Sequence, residues 1–209
     1  MRITFFGPPG SGKGTQAERI SEYFGLEHIS TGMLLRKEIR SGSKLGGRIK
    51  EIVESGHLVS DEIVNREVFT RIEGLDDYLL DGYPRNLEQA RELDVFLDGT
   101  GKPLSGAVFI QVPDEEVLRR LTGRLVCSCA DGTRHSGEFG EGDTCPECGT
   151  PFVRRSDDSS EVVKNRLDHY HGLTRHLEDY YSDRLLAVNG VGTIEQVYKR
   201  IREALRVWE

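Results

Sequence analysis

The densest chemistry in the sequence is Gly7-Pro8-Pro9-Gly10-Ser11-Gly12-Lys13-Gly14-Thr15, which follows an apolar run at residues 3–6 and precedes residues with helical spacing. Glycines there let the backbone turn so that successive N–H groups point at one anion. A following helix adds partial positive charge from its N-terminus, and Lys13 brings a full charge to the terminal phosphates. The spacing of Gly7, Gly12 and Lys13 is that of a phosphate-binding P-loop. Such loops usually place Ser or Thr directly after the lysine; here Gly14 stands there and Thr15 comes one place later. A magnesium ion is therefore expected to be held through water rather than by that hydroxyl.

Two further groups carry chemistry of their own. Asp81 ends an apolar run, where a bare carboxylate is costly unless paired or near a cation. It is expected beside Mg²⁺, with a cap of the Asp81-Gly82 turn as the alternative. The four cysteines fall in one stretch, Cys127-Ser128-Cys129 and Cys145-Pro146-Glu147-Cys148. The second pair, followed by Gly149, has the spacing of a metal knuckle, and four thiolates in one insertion suggest a tetrahedral, structural Zn²⁺. The first pair is tighter than C-x2-C, so His135 in place of Cys129, or free thiols, remain open. Glu138, Glu141, Asp143 and Glu147 make the cluster acidic and no basic helix follows, which speaks against a nucleic-acid finger.

The elements that must position these groups read as an alternation. Short apolar runs at residues 3–6, 28–30, 78–80, 107–112 and 185–188, each followed by Gly, Pro or polar residues, predict buried strands. Ala17, Ile20 and Phe24 share one helical face, as do Ile194, Val197, Tyr198, Ile201 and Leu205. Asn86 with Gln89 predicts a capped helix start, and Pro113-Asp114 another. Strands alternating with helices predict a five-stranded parallel α/β sheet covered on both faces, with ligands at the carboxyl ends of the strands. Residues 30–59, mostly helical, and 123–158, rich in Gly, Cys and charge, break the alternation and read as insertions able to move as lids.

The chain has 209 residues, enough for one such domain with small insertions. Lys plus Arg number 28 against 35 Asp plus Glu, a net charge of −7, so neither nucleic acid nor an anionic membrane is an expected partner. No apolar run reaches membrane-spanning length, and the glycine-rich loop arrives too early for a signal peptide, so a cytoplasmic protein is expected.

Taken together, the ordered blocks resemble the adenylate kinase family of nucleoside monophosphate kinases. Gly-x-Pro-Gly-x-Gly-Lys-Gly-Thr is similar to that family's P-loop. Ser30-Thr31-Gly32 with Leu35-Arg36, and Gly56-His57-Leu58-Val59-Ser60-Asp61-Glu62, resemble the start and end of its monophosphate-binding insertion. Leu79-Leu80-Asp81-Gly82-Tyr83-Pro84-Arg85 followed by Gln89 resembles the signature after its third strand. Gly123-Arg124, Arg155-Ser156-Asp157-Asp158 and Asn165-Arg166-Leu167 match the flanks of its long lid.

The resemblance implies a P-loop core at 1–29, 60–122 and 159–209, a monophosphate-binding insertion at 30–59 and a lid at 123–158. It implies ATP contacts at Gly10, Ser11, Gly12, Lys13, Gly14, Thr15, Arg120, Arg124 and Gly192. AMP contacts are implied at Thr31, Arg36, His57, Leu58, Val59, Gly82, Tyr83, Pro84, Arg85, Gln89, Arg155 and Arg166. Lys13, Arg85, Arg124, Arg155, Arg166, Asp157 and Asp158 are implied in catalysis, Asp81 with Mg²⁺ through water, and Cys127, Cys129, Cys145 and Cys148 with Zn²⁺. Met33 stands where the family usually carries Asp, which removes one carboxylate from the magnesium's surroundings.

Chemistry supports that inventory. Two polyanions must be brought within bonding distance while charge spreads over three equatorial oxygens, so catalysis is mostly positioning and electrostatic stabilisation. The implied activity is MgATP plus AMP to two ADP, by a monomer. Alternatives are the same fold with another donor or acceptor base, such as GTP with AMP, and a nucleotide switch without transfer.

Overall fold

The computed structural model describes residues 1–127, the backbone of 134 and 135, 139–146, and 148–208. In chain order the main elements are β1 (Arg2–Phe6), α1 (Lys13–Phe24), β2 (Glu27–Ser30), α2 (Thr31–Arg40), α3 (Lys44–Glu54), α4 (Asp61–Ile72), β3 (Tyr78–Asp81), α5 (Leu87–Thr100) and β4 (Gly106–Gln111). They continue with α6 (Asp114–Thr122), β5 (Leu125–Val126), β6 (Arg134–His135), β7 (Val153–Arg154), α7 (Ser160–Gly172), α8 (Leu177–Tyr180), β8 (Leu185–Asn189) and α9 (Ile194–Leu205).

Five strands form one parallel sheet in the order β2-β3-β1-β4-β8. Side chains of a strand alternate between faces, and the core divides accordingly. Phe6, Tyr78, Leu80, Ala107 and Phe109 pack on one face with Val68 of α4 and Leu93 of α5. Ile3, Phe5, Leu79, Val108 and Ile110 pack on the other with Ile20 of α1, Val117 of α6 and Ile201 of α9. Both faces are covered, as continuous apolar strands require. The expected stripe on α9 holds from Val197 to Leu205, but Ile194 is half exposed, because it begins the helix at the rim of a cleft rather than over the sheet.

Helix ends follow their local chemistry. Asn86 accepts from Gln89 N to cap α5, and Thr193 with Gln196 forms a capping box at α9. Acidic Asp114, Glu115 and Glu116 open α6 and Arg119 and Arg120 close it, matching the helix dipole. Residues 30–59 carry α2 and α3, the helical insertion expected there. Residues 125–154 carry a three-stranded antiparallel sheet, β6-β5-β7, around a small cluster of Leu125, Cys127, Cys145 and Phe152.

Beside the central strand β1, neighbours depart to β3 on one side and β4 on the other. That divergence opens a crevice at the carboxyl ends of the strands, where the P-loop emerges.

Candidate phosphoryl-transfer site

A cleft of about 700 Å³ runs along those strand ends. Its floor is the P-loop. Gly7 has φ +148°, and a Cβ there would lie 2.5 Å from the Ile110 carbonyl oxygen, so only glycine lets β1 turn this close to β4. Gly12, at φ 91°, precedes α1 without a side-chain cap, which leaves the first N–H groups of the helix for a ligand. Lys13 Nζ donates to the carbonyls of Gly7 and Pro8 at 2.8 Å each, folding the ammonium back over the loop.

Asp81 ends β3 directly beside this loop and is buried. Its carboxylate accepts from Ser30 Oγ at 2.9 Å, and His28 Nε2 lies 3.7 Å from it. Burial alone would raise its pKa; His28, Lys13 and Ser30 outweigh that, and the carboxyl is held below its ordinary value. The carboxylate is thus both paired and next to the loop that receives phosphates. His28 and Ser30 were not singled out for this from the sequence. They become visible as partners only because β2 pairs with β3 and sets Ser30 opposite Asp81.

Across the cleft the arginines meet two carboxylates. Arg124 makes a two-point pair with Asp158, Nε to Oδ2 at 2.6 Å and Nη2 to Oδ1. Arg155 Nε donates to Asp157 Oδ1 at 2.7 Å, with Nη2 on the second oxygen. Arg166 Nη1 donates to the Asp157 carbonyl at 3.1 Å and to Asp158 Oδ1 at 3.3 Å. Burial opposes ionisation of Asp157, but Arg155 and Arg166 prevail and lower its pKa; burial brings Arg166 down to about 10. Arg85 Nε donates to the Gly82 carbonyl at 2.9 Å, and burial lowers its pKa as well. Desolvated guanidinium groups facing a cleft attract polyanions far more strongly than exposed ones do.

All residues expected to hold the donor line the cleft: Gly10, Ser11, Gly12, Lys13, Gly14, Thr15, Arg120, Arg124 and Gly192. So do Arg36, His57, Leu58, Val59, Gly82, Pro84, Arg85, Arg155 and Arg166 among those expected to hold the acceptor. Thr31, Tyr83 and Gln89 stand behind that wall. Thr31 Oγ1 donates to the Gly82 carbonyl at 3.0 Å, and Tyr83 is buried with its hydroxyl on Asn65 Oδ1 at 2.6 Å. Gln89 is clamped: its Oε1 accepts from Arg85 N at 2.8 Å and its Nε2 donates to Asp61 Oδ1 at 2.5 Å. Asp157 lines the cleft, while Asp158 sits beneath Arg124.

Three residues in this architecture had no role assigned from sequence. Asp61 bridges Gln89 and Asn86, whose Nδ2 lies 2.9 Å from its Oδ2. Thr174 Oγ1 donates to the Arg85 carbonyl at 2.7 Å, fixing that backbone from the far wall. Glu116 holds Arg119 and Arg120, a signal available from their spacing on one helix.

Below the lid strands, Cys127, Cys145 and Cys148 bring their sulfurs within 4.8 Å of one another, two buried and one exposed. Three convergent thiols around one point are a metal-binding arrangement. Cys129 and the side chain of His135 lie outside the described residues. Phe139 stacks on Phe152 at 4.9 Å beside the cluster, and among the described residues these two with Leu125, Cys127 and Cys145 make up the apolar cluster of this insertion.

The family model described as adenylate kinase matches residues 5–185. A relative named adenylate kinase from Carboxydothermus hydrogenoformans is 44% identical over 215 residues, covering 99% of this chain and 100% of that protein. Another from Caldanaerobacter subterraneus subsp. tengcongensis is 42% identical over 98% of this chain and 96% of its own length. One from Methanosarcina barkeri is 40% identical over 99% of both. A shared P-loop alone would not separate phosphotransferases from other nucleotide-binding proteins, but similarity across the sheet, both insertions and the arginine wall does: the chain belongs to the adenylate kinase family.

Proposed function

We propose that the chain transfers the γ-phosphoryl group of ATP to AMP, giving two ADP. The observation that carries this reading is one cleft with a P-loop at its floor and four arginines, Arg85, Arg124, Arg155 and Arg166, on its walls. A nucleotide switch needs the first of these but has no use for an arginine wall around a second phosphate.

In this reading Lys13 and the amides at the start of α1 hold the donor phosphates, and Arg120 and Gly192 mark the end that receives the donor base. Arg36 and Arg85 hold the acceptor phosphate, with Leu58, Val59 and Gln89 toward its base. An acceptor phosphate oxygen attacks the γ-phosphorus in line, the bond from that phosphorus to the β–γ bridging oxygen breaks, and ADP leaves with the bridging oxygen. Arg124, Arg155 and Arg166 neutralise the equatorial oxygens; Asp157 and Asp158 hold those guanidiniums in place beforehand. Residues 30–59 and 123–158 are the moving parts that bring these groups together and exclude water, over a core of 1–29, 60–122 and 159–209.

Asp81 and Ser30 suit a water-held Mg²⁺, which would screen the β- and γ-phosphates when bound. Cys127, Cys145 and Cys148 would hold Zn²⁺ with Cys129 or His135 completing the set, a crosslink in place of apolar burial. No helix among the described residues is long and apolar enough to cross a membrane. The reading includes a monomer acting on free nucleotides in the cytoplasm, and the net charge of −7 gives it no general attraction for nucleic acid or an anionic membrane. Initial rates over a panel of donors and acceptors with Mg²⁺ test the reading. ATP with AMP should dominate, and a preference for GTP would move the chain to a related kinase.

A further inference from the structure

We propose that Glu116 is a positioning residue for the donor nucleotide: it holds Arg120 as a fixed flat face at the donor-base end of the cleft, without touching the nucleotide. This rests on the assignment of Arg120 to that end.

Arg120 ties three separate segments together. Its Nε donates to Glu116 Oε1 at 2.7 Å, its Nη1 to the Ser11 carbonyl of the P-loop at 3.2 Å, and its Nη2 to the Gly190 carbonyl after β8 at 2.9 Å. Three of its five N–H groups, one on each guanidinium nitrogen, therefore have protein acceptors. What such a group still presents to a ligand is chiefly its face, which stacks on flat aromatic systems. Gly192, Ile194 and Val197, which follow the Gly190 carbonyl that Arg120 holds, also line the cleft, two of them apolar and one without a side chain. A slot between a guanidinium face and apolar side chains suits a purine.

The carboxylate decides whether that face stays in place. The two carbonyls are neutral acceptors, and a triphosphate arriving on the P-loop offers the guanidinium a stronger partner only a loop away. Glu116 supplies the competing charge, and charge-assisted bonds are roughly twice as strong as neutral ones. Arg119 shares the same carboxylate at 2.7 Å and also lines the cleft, but it is far more exposed, 73% against 22%, and it is Arg120 that bonds to the P-loop and to Gly190. Bonding to Arg119 and Arg120 pulls Glu116 down to about 2, so the anchor stays ionised at any working pH. Glu116 itself is not part of the cleft lining.

The test compares a donor that has a base with one that lacks it. Calorimetric titration of Glu116→Gln with ATP should show affinity reduced about three- to tenfold, while inorganic tripolyphosphate binds as it does to the unaltered protein. KM for ATP should rise by the same factor, with KM for AMP unchanged and kcat within about twofold. Equal losses for ATP and tripolyphosphate would overturn the proposal, because they would place the effect in the phosphate loop; so would unchanged ATP affinity. Arg120→Ala separates the two layers. If it leaves ATP affinity intact, the donor-end assignment itself is wrong; if it weakens ATP while Glu116→Gln does not, only the positioning role fails.

Discussion

Arg155 and Asp157 stand two residues apart and grip each other through both oxygens and two guanidinium nitrogens, Nε to Oδ1 at 2.7 Å, on the wall of the cleft. The carboxylate occupies the guanidinium fork in the geometry a phosphate would use. An arginine so paired is held in the cleft without a ligand, and a nucleotide must compete for it.

This pair sets a pH dependence. Asp157 has its pKa lowered from 3.8 in the folded protein: burial works against this, and Arg155 and Arg166 outweigh burial. A depressed folded pKa means stability that is fully present above pH 3.8 and lost as pH falls through the folded value. Asp157→Asn should therefore flatten the acid side of the stability curve below about pH 4, measured by thermal denaturation across pH. At neutral pH it should lower stability, because Arg155 is left without its partner. An unchanged acid limb would mean that the pair does not stabilise the fold.

Lys13→Ala should lower kcat by about 10²–10³-fold or more while leaving the thermal transition near its original temperature. Its ammonium donates to the Gly7 and Pro8 carbonyls and lies 3.3 Å from the Ser11 hydroxyl, at the floor of the cleft rather than in the apolar core, so its removal opens no core cavity. Near-normal turnover in the folded variant would remove the P-loop from the mechanism.

Asp61→Ala should raise KM for AMP several-fold with little change in KM for ATP. The carboxylate can only accept and Arg85 N–H can only donate, so together they fix which way the Gln89 amide points. Without Asp61 the Arg85 N–H alone orients the amide, and its Nε2 end loses its carboxylate anchor. Product-formation kinetics at varied AMP check this, and an equal effect on both substrates would refute it.

Much of this was legible in the sequence, for physical reasons. The five parallel strands are short apolar runs bounded by Gly, Pro or polar residues, and the P-loop has a fixed spacing because backbone amides must converge on one anion. Roles that depend on which strands lie side by side were not legible. Ser30 reaches Asp81 only through β2–β3 pairing, and Asp61 reaches Gln89 across 28 positions of chain. Tyr83, Thr31 and Gln89 sit in motifs that resemble nucleotide-binding ones, and the partners that orient them, Asn65, the Gly82 carbonyl and Asp61, come from other segments and carry no motif of their own. The two-residue lid strands carry too little pattern to be read at all.

Elemental analysis should find about one zinc per chain, with sulfur ligands at roughly 2.3 Å by X-ray absorption. Cys145→Ser or Cys148→Ser should lose the metal and lower thermal stability more than activity at moderate temperature, because the arginines of the cleft lie on the lid's flanks. Zinc retained in Cys129→Ser but lost in His135→Ala would assign the fourth position to the histidine. A metal-free protein of unchanged stability would leave the three thiols without a structural role.

The most direct measurement is ³¹P NMR of the purified protein with Mg²⁺, ATP and AMP. The central claim predicts that AMP and ATP convert to ADP in equal amounts, reversibly, and that no inorganic phosphate accumulates. ATP turnover that is indifferent to AMP and releases inorganic phosphate would contradict it.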